Sequence, residues 1–176
     1  MSQTPSQTTP TAGHIQWTQS PDGTGDSTEP RARLIPYGLL TGGYAAALGA
    51  FLWRFRDRLP EEISPRDLAL VGVASHKTSR AIAKDKVTAP LRAPFTEHEG
   101  DAGPGELEES PSGTGLRHTM GELLVCPFCL DQWVATGYVA GLVLAPRATR
   151  FVASIMATVA ISDFLQIGYK ASEEQL

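Results

Sequence analysis

The longest uncharged apolar stretch of the chain, residues 34–53, constrains its fold more than any other feature. Its sequence, LIPYGLLTGGYAAALGAFLW, holds 20 residues without a charged side chain. A helix needs about 20 apolar residues to cross the hydrocarbon core of a bilayer, which is about 30 Å thick. Tyr37 and Trp53 lie near the ends of the stretch, where interfacial aromatic side chains are favoured. The stretch therefore predicts a membrane-spanning helix over 34–54.

Two further apolar runs lie in the last third of the chain. Pro127 suits the first turn of a helix, because its missing N–H has no partner to lose there. A helix over 127–145 reaches about 28 Å at 1.5 Å per residue, which is enough to cross a bilayer. The run that follows is interrupted only by Asp163 and predicts a helix over 148–170.

A fourth helix is predicted over 65–88, where Ser64 and Pro65 form a cap and a first helical residue. Its first half is apolar and its second half is basic. We interpret it as a helix that enters the membrane with its first half and exposes the second. The alternative is a full span whose basic face looks into the protein.

The remaining segments are polar. Residues 1–30 are rich in Thr, Ser, Gln, Pro and Gly, lack the features of a secretory signal and predict a disordered tail. Residues 31–176 form the predicted membrane domain, with a loop over 96–115. The fold class is therefore an all-α integral membrane bundle of about four membrane-associated helices. The net charge of −4 gives no indication of nucleic-acid binding.

Membrane orientation does not follow from the basic residues. With four crossings, seven Lys and Arg residues fall on the side of the N-terminus and six on the other side. We favour a cytoplasmic N-terminus, because the polar tail then need not be translocated.

Both cysteines lie in one C-x-x-C segment, LLVCPFCLDQW. If Pro127 is the first helical residue, Cys126 is the N-cap and Cys129 lies in the first turn. The positive end of a helix stabilises a thiolate, so one interpretation is dithiol redox chemistry. A second is a metal site that adds His118, with zinc as the ion. The interpretation we favour is two small buried thiols that pack the helix entrance, without a cofactor.

Two G-x-x-x-G patterns predict close helix packing, Gly38 with Gly42 and Gly137 with Gly141. In a membrane such patterns also favour self-association, so a homo-oligomer is an expected partner beside the lipid bilayer.

A charged cluster accompanies the basic half of the fourth helix. Lys77, Arg80 and Lys84 share one helix face, and Asp85 and Arg92 follow them. Asp163 stands within an apolar run, where a charge is costly and is usually paired. We expect Asp163 to pair with Lys77, Arg80 or Lys84, and the basic face to be either a solvated surface or a binding surface for anionic headgroups.

Two longer stretches, GVASHKTSRAIAKDKVTAPLRAPF and GTGLRHTMGELLVCPFCLDQW, resemble the DUF1360 family of small bacterial membrane proteins. The resemblance covers 68–169 and implies a membrane location but no activity, although some relatives in spore-formers are labelled sporulation proteins. Asp131 departs from the pattern, in which we expect a small residue. The residues that match the pattern are Arg80, Asp85, Pro90, Arg92, Glu122, Cys126, Pro127, Cys129 and Trp133.

Together these features predict a multi-pass protein of the bacterial cytoplasmic membrane with a non-enzymatic structural or interaction role. The alternatives are a thiol-redox or metal-binding membrane protein and a protein that binds anionic lipid or a small solute through the basic face.

Overall fold

Six helices and one β-hairpin make up the part of the chain that a computed structural model describes, residues 29–103 and 105–174. Short 3-10 turns follow the first two helices, at Arg56–Arg58 and Lys86–Thr88. The helices are α1 (Glu29–Phe55), α2 (Pro65–Lys84), α3 (Ala89–Arg92), α4 (Leu116–Val125), α5 (Pro127–Leu144) and α6 (Pro146–Glu173), and the strands are β1 (Thr96–Gly103) and β2 (Glu106–Pro111).

Helix α1 begins at Glu29, inside the region 1–30 that we predicted to be a tail. The rest of that tail, residues 1–28, lies outside the described residues. Helix α2 is shorter than the predicted 65–88, because Asp85 is extended and the chain then turns.

The starts of α2 and α5 follow the same local rule. Ser64 Oγ accepts a hydrogen bond from the Asp67 N–H at 3.1 Å, and Cys126 Sγ accepts one from the Cys129 N–H at 3.2 Å. A proline follows each cap at the first helical position. Each cap thus satisfies an N–H that has no partner inside the helix.

Helices α2, α5 and α6 pack together as a bundle. At the start of α2, Asp67 accepts two hydrogen bonds of 2.8 Å from Arg150 in the first turns of α6. Further along α2, Ser79 donates to Asp131 at the start of α5, at 3.4 Å. Helix α6 starts two residues after α5 ends, so α5 and α6 form a helical hairpin. Helix α2 therefore runs parallel to α6 and antiparallel to α5.

Helix α1 lies beside α4 and α5 and runs in the direction of α5. The Tyr37 hydroxyl donates to the Glu122 carboxylate of α4. One helical heptad later, the Tyr44 hydroxyl shares a hydrogen bond of 2.7 Å with Thr136 of α5, and the Tyr44 ring meets Trp133 edge-on at 4.9 Å.

Within the described residues, two helical segments are long and apolar enough to cross a membrane, Leu34–Arg58 and Pro146–Glu173. A third crossing arises if α4 and α5, which meet at a bend of 85°, count as one broken span. Helix α2 is too polar to count among the helices that could cross a membrane by length and composition. The structure is thus mostly helical, with apolar helices compatible with a membrane, but it does not establish a bundle of four membrane helices.

The expectation of an all-α fold with a loop over 96–115 was wrong, because β1 and β2 form an antiparallel hairpin there. The register pairs Thr96 with Pro111 and Gly103 with Glu106. The backbone at Gly105 has a φ of 81°, which glycine adopts without strain at the turn. These residues have low strand propensity, so the sequence pattern gave no sign of strands. The hairpin packs mainly against α4, and ion pairs tie its carboxylates to side chains of α2 and α3.

The central contact of the hairpin is a buried ion pair between Arg92 and Glu109. Arg92 is completely buried, and its Nε donates to the Glu109 carboxylate. Its Nη1 also donates to the Ile82 carbonyl at 2.6 Å and to Thr88 Oγ1 at 2.8 Å, and both terminal nitrogens donate to the Asp85 carbonyl at 3.2 Å. One side chain therefore joins the end of α2, the following turn and β2.

Helix α4 closes the hairpin from the other side through Gly121. A Cβ atom at this position would lie 2.5 Å from the Phe95 carbonyl oxygen and 3.1 Å from Pro111. Only glycine fits so close an approach of two backbones. The polar unit of α3, the hairpin and α4, which we call the cap, is therefore packed and not a free loop.

We predict that Arg92→Met lowers the free energy of unfolding by about 3–5 kcal/mol, because it leaves the Glu109 carboxylate buried without a cation. The matched control is Lys84→Met, which breaks a partly exposed pair and should cost no more than about 1 kcal/mol. Thermal unfolding of the purified chain in detergent measures both. Equal losses in the two variants would contradict the assigned role, and Arg92→Met with Glu109→Leu should regain part of the loss.

Candidate functional site

The cations in the basic row of α2 and the turn after it are all ion-paired, although Arg80 and Lys86 stay exposed to solvent. Each of the four side chains of this row pairs with a carboxylate from the hairpin or α6. The N–O distances are 2.9 Å for Lys77–Asp163, 2.8 Å for Arg80–Glu106, 3.3 Å for Lys84–Glu108 and 2.8 Å for Lys86–Asp101. The sequence predicted a protein partner from this row for Asp163 only, and the structure pairs the other three cations with carboxylates of the hairpin.

The hairpin matches the helix in spacing as well as in charge. Arg80 and Lys84 are four residues apart on α2, about 6 Å along the axis. Glu106 and Glu108 are two residues apart on β2, about 6.6 Å along the strand and on the same face. Arg80 holds Glu106 with two hydrogen bonds of 2.9 Å. This E-x-E spacing opposite R-x-x-x-K was the sequence signal for the pairing, and our sequence reasoning missed it.

Two carboxylates at the edges of the row have different surroundings. Asp163 of α6 pairs with Lys77, one of the three partners expected from the sequence, and Lys77 also lies 3.8 Å from Asp85. At the hairpin, the Lys86 ammonium group holds the pKa of the Asp101 carboxyl below its ordinary value. Asp131, which departs from the family pattern, accepts its hydrogen bond from Ser79 and so joins α5 to α2.

The two cysteines do not form a redox pair in this structure. Both are free thiols, and the two sulfur atoms are not at disulfide distance. The expectation of two buried thiols was also wrong, because Cys126 is half-buried and Cys129 is exposed. The Cys126 sulfur accepts the Cys129 N–H as the helix cap, whereas Cys129 lines a cavity on the side of α1. The C-x-x-C spacing therefore reflects a capped helix start, and the dithiol interpretation is not supported.

The proposed metal ligands do not come together. His118 Nε2 lies 3.7 Å from Glu122, one turn further along α4. Across residues 29–103 and 105–174, no three His, Cys, Asp or Glu side chains are grouped as metal ligands.

The glycine patterns differ in their surroundings. A Cβ on Gly141 would lie 2.7 Å from Thr149 Oγ1, so this glycine lets α5 and α6 approach closely. Within the described part of the chain, an added Cβ at Gly38, Gly42 or Gly137 would meet no other atom within 4 Å. The G-x-x-x-G face of α1 is therefore not used for packing inside the described protein.

A cavity of about 250 Å³ lies between α1, α4 and α5. Three of its lining residues, Glu122, Cys129 and Trp133, are among the residues that match the family pattern, and Tyr37 and Tyr44 come from the apolar run of α1. The two tyrosines were missed as site residues. Tyr37 lies near the end of the apolar run, where it is indistinguishable in sequence from an interfacial anchor. Tyr44 lies in the middle of the run, and its partner Thr136 is 92 positions away in the chain.

These features define a class of protein, a mostly helical chain with membrane-length apolar helices and an ion-paired polar cap. A family model described as Protein of unknown function (DUF1360) matches residues 70–169, which is more than half of the chain. The chain belongs to the DUF1360 family, as the sequence resemblance predicted.

The matched region contains most of α2, the cap, α5 and nearly all of α6. Over 103 residues the chain is 29% identical to Sporulation protein YjcA of Bacillus subtilis (strain 168), which covers 56% of this chain and 86% of that relative. No solved structure matches the chain.

We predict that Cys126→Ser leaves stability unchanged or slightly raised, because serine is a preferred N-cap and keeps an acceptor for the Cys129 N–H. Cys126→Ala should lower the free energy of unfolding by about 1 kcal/mol through loss of that cap. Thermal unfolding followed by circular dichroism compares the two. A large loss of stability in Cys126→Ser would show that the sulfur does more than cap the helix.

Proposed function

We propose that the chain is a multi-pass protein of the bacterial cytoplasmic membrane with a non-enzymatic structural or interaction role. The observation that carries the proposal is the apolar surface of α1 and α6. Large hydrophobic side chains stay exposed along both helices, and a soluble monomer rarely leaves so wide an apolar surface in water. Among them are Leu34, Ile35, Leu39 and Trp53 on α1 and Phe151, Ile161, Leu165 and Ile167 on α6, each at least 58% exposed.

The charge pattern supports a structural role for the cap. Cations of α2, the turn after it and α3 pair with carboxylates of the hairpin, so they hold the hairpin onto α2. Such pairs between parts of one protein fix the position of a segment, and they leave the cations less able to hold a phosphate group. The relative in Bacillus subtilis is named a sporulation protein, and a structural role in a membrane is compatible with that name.

The helix directions support four crossings, with both ends of the membrane domain and the cap on one side. Helices α1 and α5 run one way, and α2 and α6 run the other way. The connection between α1 and α2 then lies on the opposite side, together with the turn between α5 and α6. The alternative of fewer crossings leaves α2 or the bent α4–α5 pair at the surface of the bilayer.

We predict that cysteine labelling places the cap and the C-terminal end of α6 on one side of the membrane. The probes are native Cys129 in a Cys126→Ser chain, and Glu173→Cys or Glu61→Cys in a chain with both native cysteines changed to serine. A membrane-impermeant maleimide should label Cys129 and the Glu173→Cys chain from the same side of the membrane. It should label the Glu61→Cys chain from the other side. Reaction of Glu61→Cys and Glu173→Cys from one side would contradict four crossings.

Carbonate extraction of membranes gives an independent test of location. The chain should stay in the membrane pellet at high pH, as integral proteins do. Release of the chain into the supernatant would contradict the membrane proposal as a whole, whatever the labelling pattern shows.

Self-association through the glycine face of α1 is part of the same proposal. The support is that Gly38 and Gly42 share a helix face on which an added Cβ meets no atom of the described protein. In a membrane, small residues at this spacing let two helices approach closely.

We predict that Gly38→Ile and Gly42→Ile shift the chain from dimer to monomer, because the larger side chains separate the helix backbones. The control is Gly43→Ile, about 100° around the helix from Gly42. Chemical crosslinking in membranes measures the dimer fraction. Equal loss of dimer in all three variants, or no dimer of the unsubstituted chain, would contradict self-association through the glycine face of α1.

A further inference from the structure

The cavity between α1, α4 and α5 has walls of unusual composition for a membrane-type bundle. Three aromatic side chains, Tyr37, Tyr44 and Trp133, line it together with the carboxylate of Glu122. Lys and Arg are absent from the described residues that line it. We propose that this cavity binds an organic ammonium group, a function that goes beyond the structural role proposed above and does not depend on it.

The aromatic walls favour a cation as the occupant. The face of an aromatic ring carries partial negative charge, and a cation within about 6 Å of the ring centre is attracted to it, most strongly by Trp. Tyr44 and Trp133 already hold each other in an edge-on contact at 4.9 Å, which fixes the angle between two of the walls. Tyr44 is anchored further by its 2.7 Å hydrogen bond to Thr136.

The carboxylate adds a full negative charge to these partial charges. Glu122 is held in place by the hydroxyl of Tyr37, which donates to its Oε2 atom. Its Oε1 atom lies 3.7 Å from His118 Nε2, beyond hydrogen-bond distance. An ammonium group in the cavity would therefore meet a carboxylate that is already oriented by the protein.

Other occupants fit this lining less well. An anion would be repelled by Glu122, and an acyl chain would cover the carboxylate without giving its Oε1 atom a donor, which costs free energy. Leu40 and Leu123 add apolar walls that suit the methyl or methylene groups around an alkylammonium nitrogen. The lining is completed by Thr41, Thr119, Cys129 and Gln132. A volume of about 250 Å³ accommodates a headgroup-sized amine but not a large amphiphile.

The position of the cavity allows two sources of the same chemistry. It lies where α4 bends into α5, at the cap end of the bundle, and Trp133 is 36% exposed there. The ammonium group could belong to a free amine from water or to the ethanolamine headgroup of a phospholipid.

The test uses the full chain in detergent, with Trp17→Phe and Trp53→Phe so that Trp133 is the single fluorescent tryptophan. Choline chloride is titrated against a sodium chloride control. We expect a saturable change in Trp133 fluorescence. The uncharged isostere 3,3-dimethyl-1-butanol should bind at least about tenfold more weakly, because it lacks the charge that the rings and Glu122 recognise. No saturable change with choline, or equal binding of the isostere, would overturn the proposal.

Variants assign the binding to the named residues. Glu122→Gln should weaken choline binding at least about tenfold, whereas Glu62→Gln, an exposed carboxylate in the connection between α1 and α2, should leave it unchanged. Tyr44→Phe keeps the ring and should bind, and Tyr44→Leu removes it and should not. Unchanged binding in Glu122→Gln, with a normal circular dichroism spectrum, would overturn the site.

Nanodiscs distinguish the two sources. If the headgroup is the natural occupant, phosphatidylethanolamine should reduce the response to choline relative to phosphatidylglycerol. If a free amine is the occupant, the response should be equal in both lipids.

Discussion

The buried pair of Arg92 and Glu109 is the interaction on which the polar half of the molecule depends. Burying two charges is costly, and the cost is offset only when the remaining donors and acceptors are satisfied. Here the guanidinium group also reaches the carbonyls of Ile82 and Asp85, so it holds the end of α2, the turn after it and β2 in one arrangement. The other ion pairs of the cap lie further out and are more exposed, and they follow from the position that this pair fixes.

Charge complementarity takes the place of strand propensity in the hairpin. A two-stranded sheet is marginal on its own in water, and apart from Thr96 these strands contain no β-branched residue and are rich in glycine, aspartate and glutamate. The hairpin lies against α2, where its carboxylates meet a row of cations, and α4 closes over it at Gly121. The same segment detached from the helix would have little reason to form strands.

Local signals in the sequence accounted for the helices but not for the contacts between them. The uncharged run before Arg54, the Ser64–Pro65 cap and the Cys126–Pro127 cap each predict an element from a few neighbouring residues, and helices lie at all three. The hairpin and the cavity depend on residues far apart in the chain. Tyr37 and Glu122 are separated by 85 positions, and neither residue type signals the other. The partner of Asp163 could be narrowed to three basic residues, because a charge in an apolar run needs a partner nearby.

The order of the charges along the chain has a consequence for biosynthesis. The basic row of α2 and the turn after it, residues 77–86, leaves the ribosome before the hairpin carboxylates of residues 101–108, which later pair with three of its four cations. If the chain inserts into a membrane as proposed, these cations are still unpaired when the direction of α2 is decided. In the folded protein the same cations are ion-paired with carboxylates of the chain. In the proposed membrane arrangement, the side of the cap would therefore follow from the charges of the nascent chain and not from those of the folded surface.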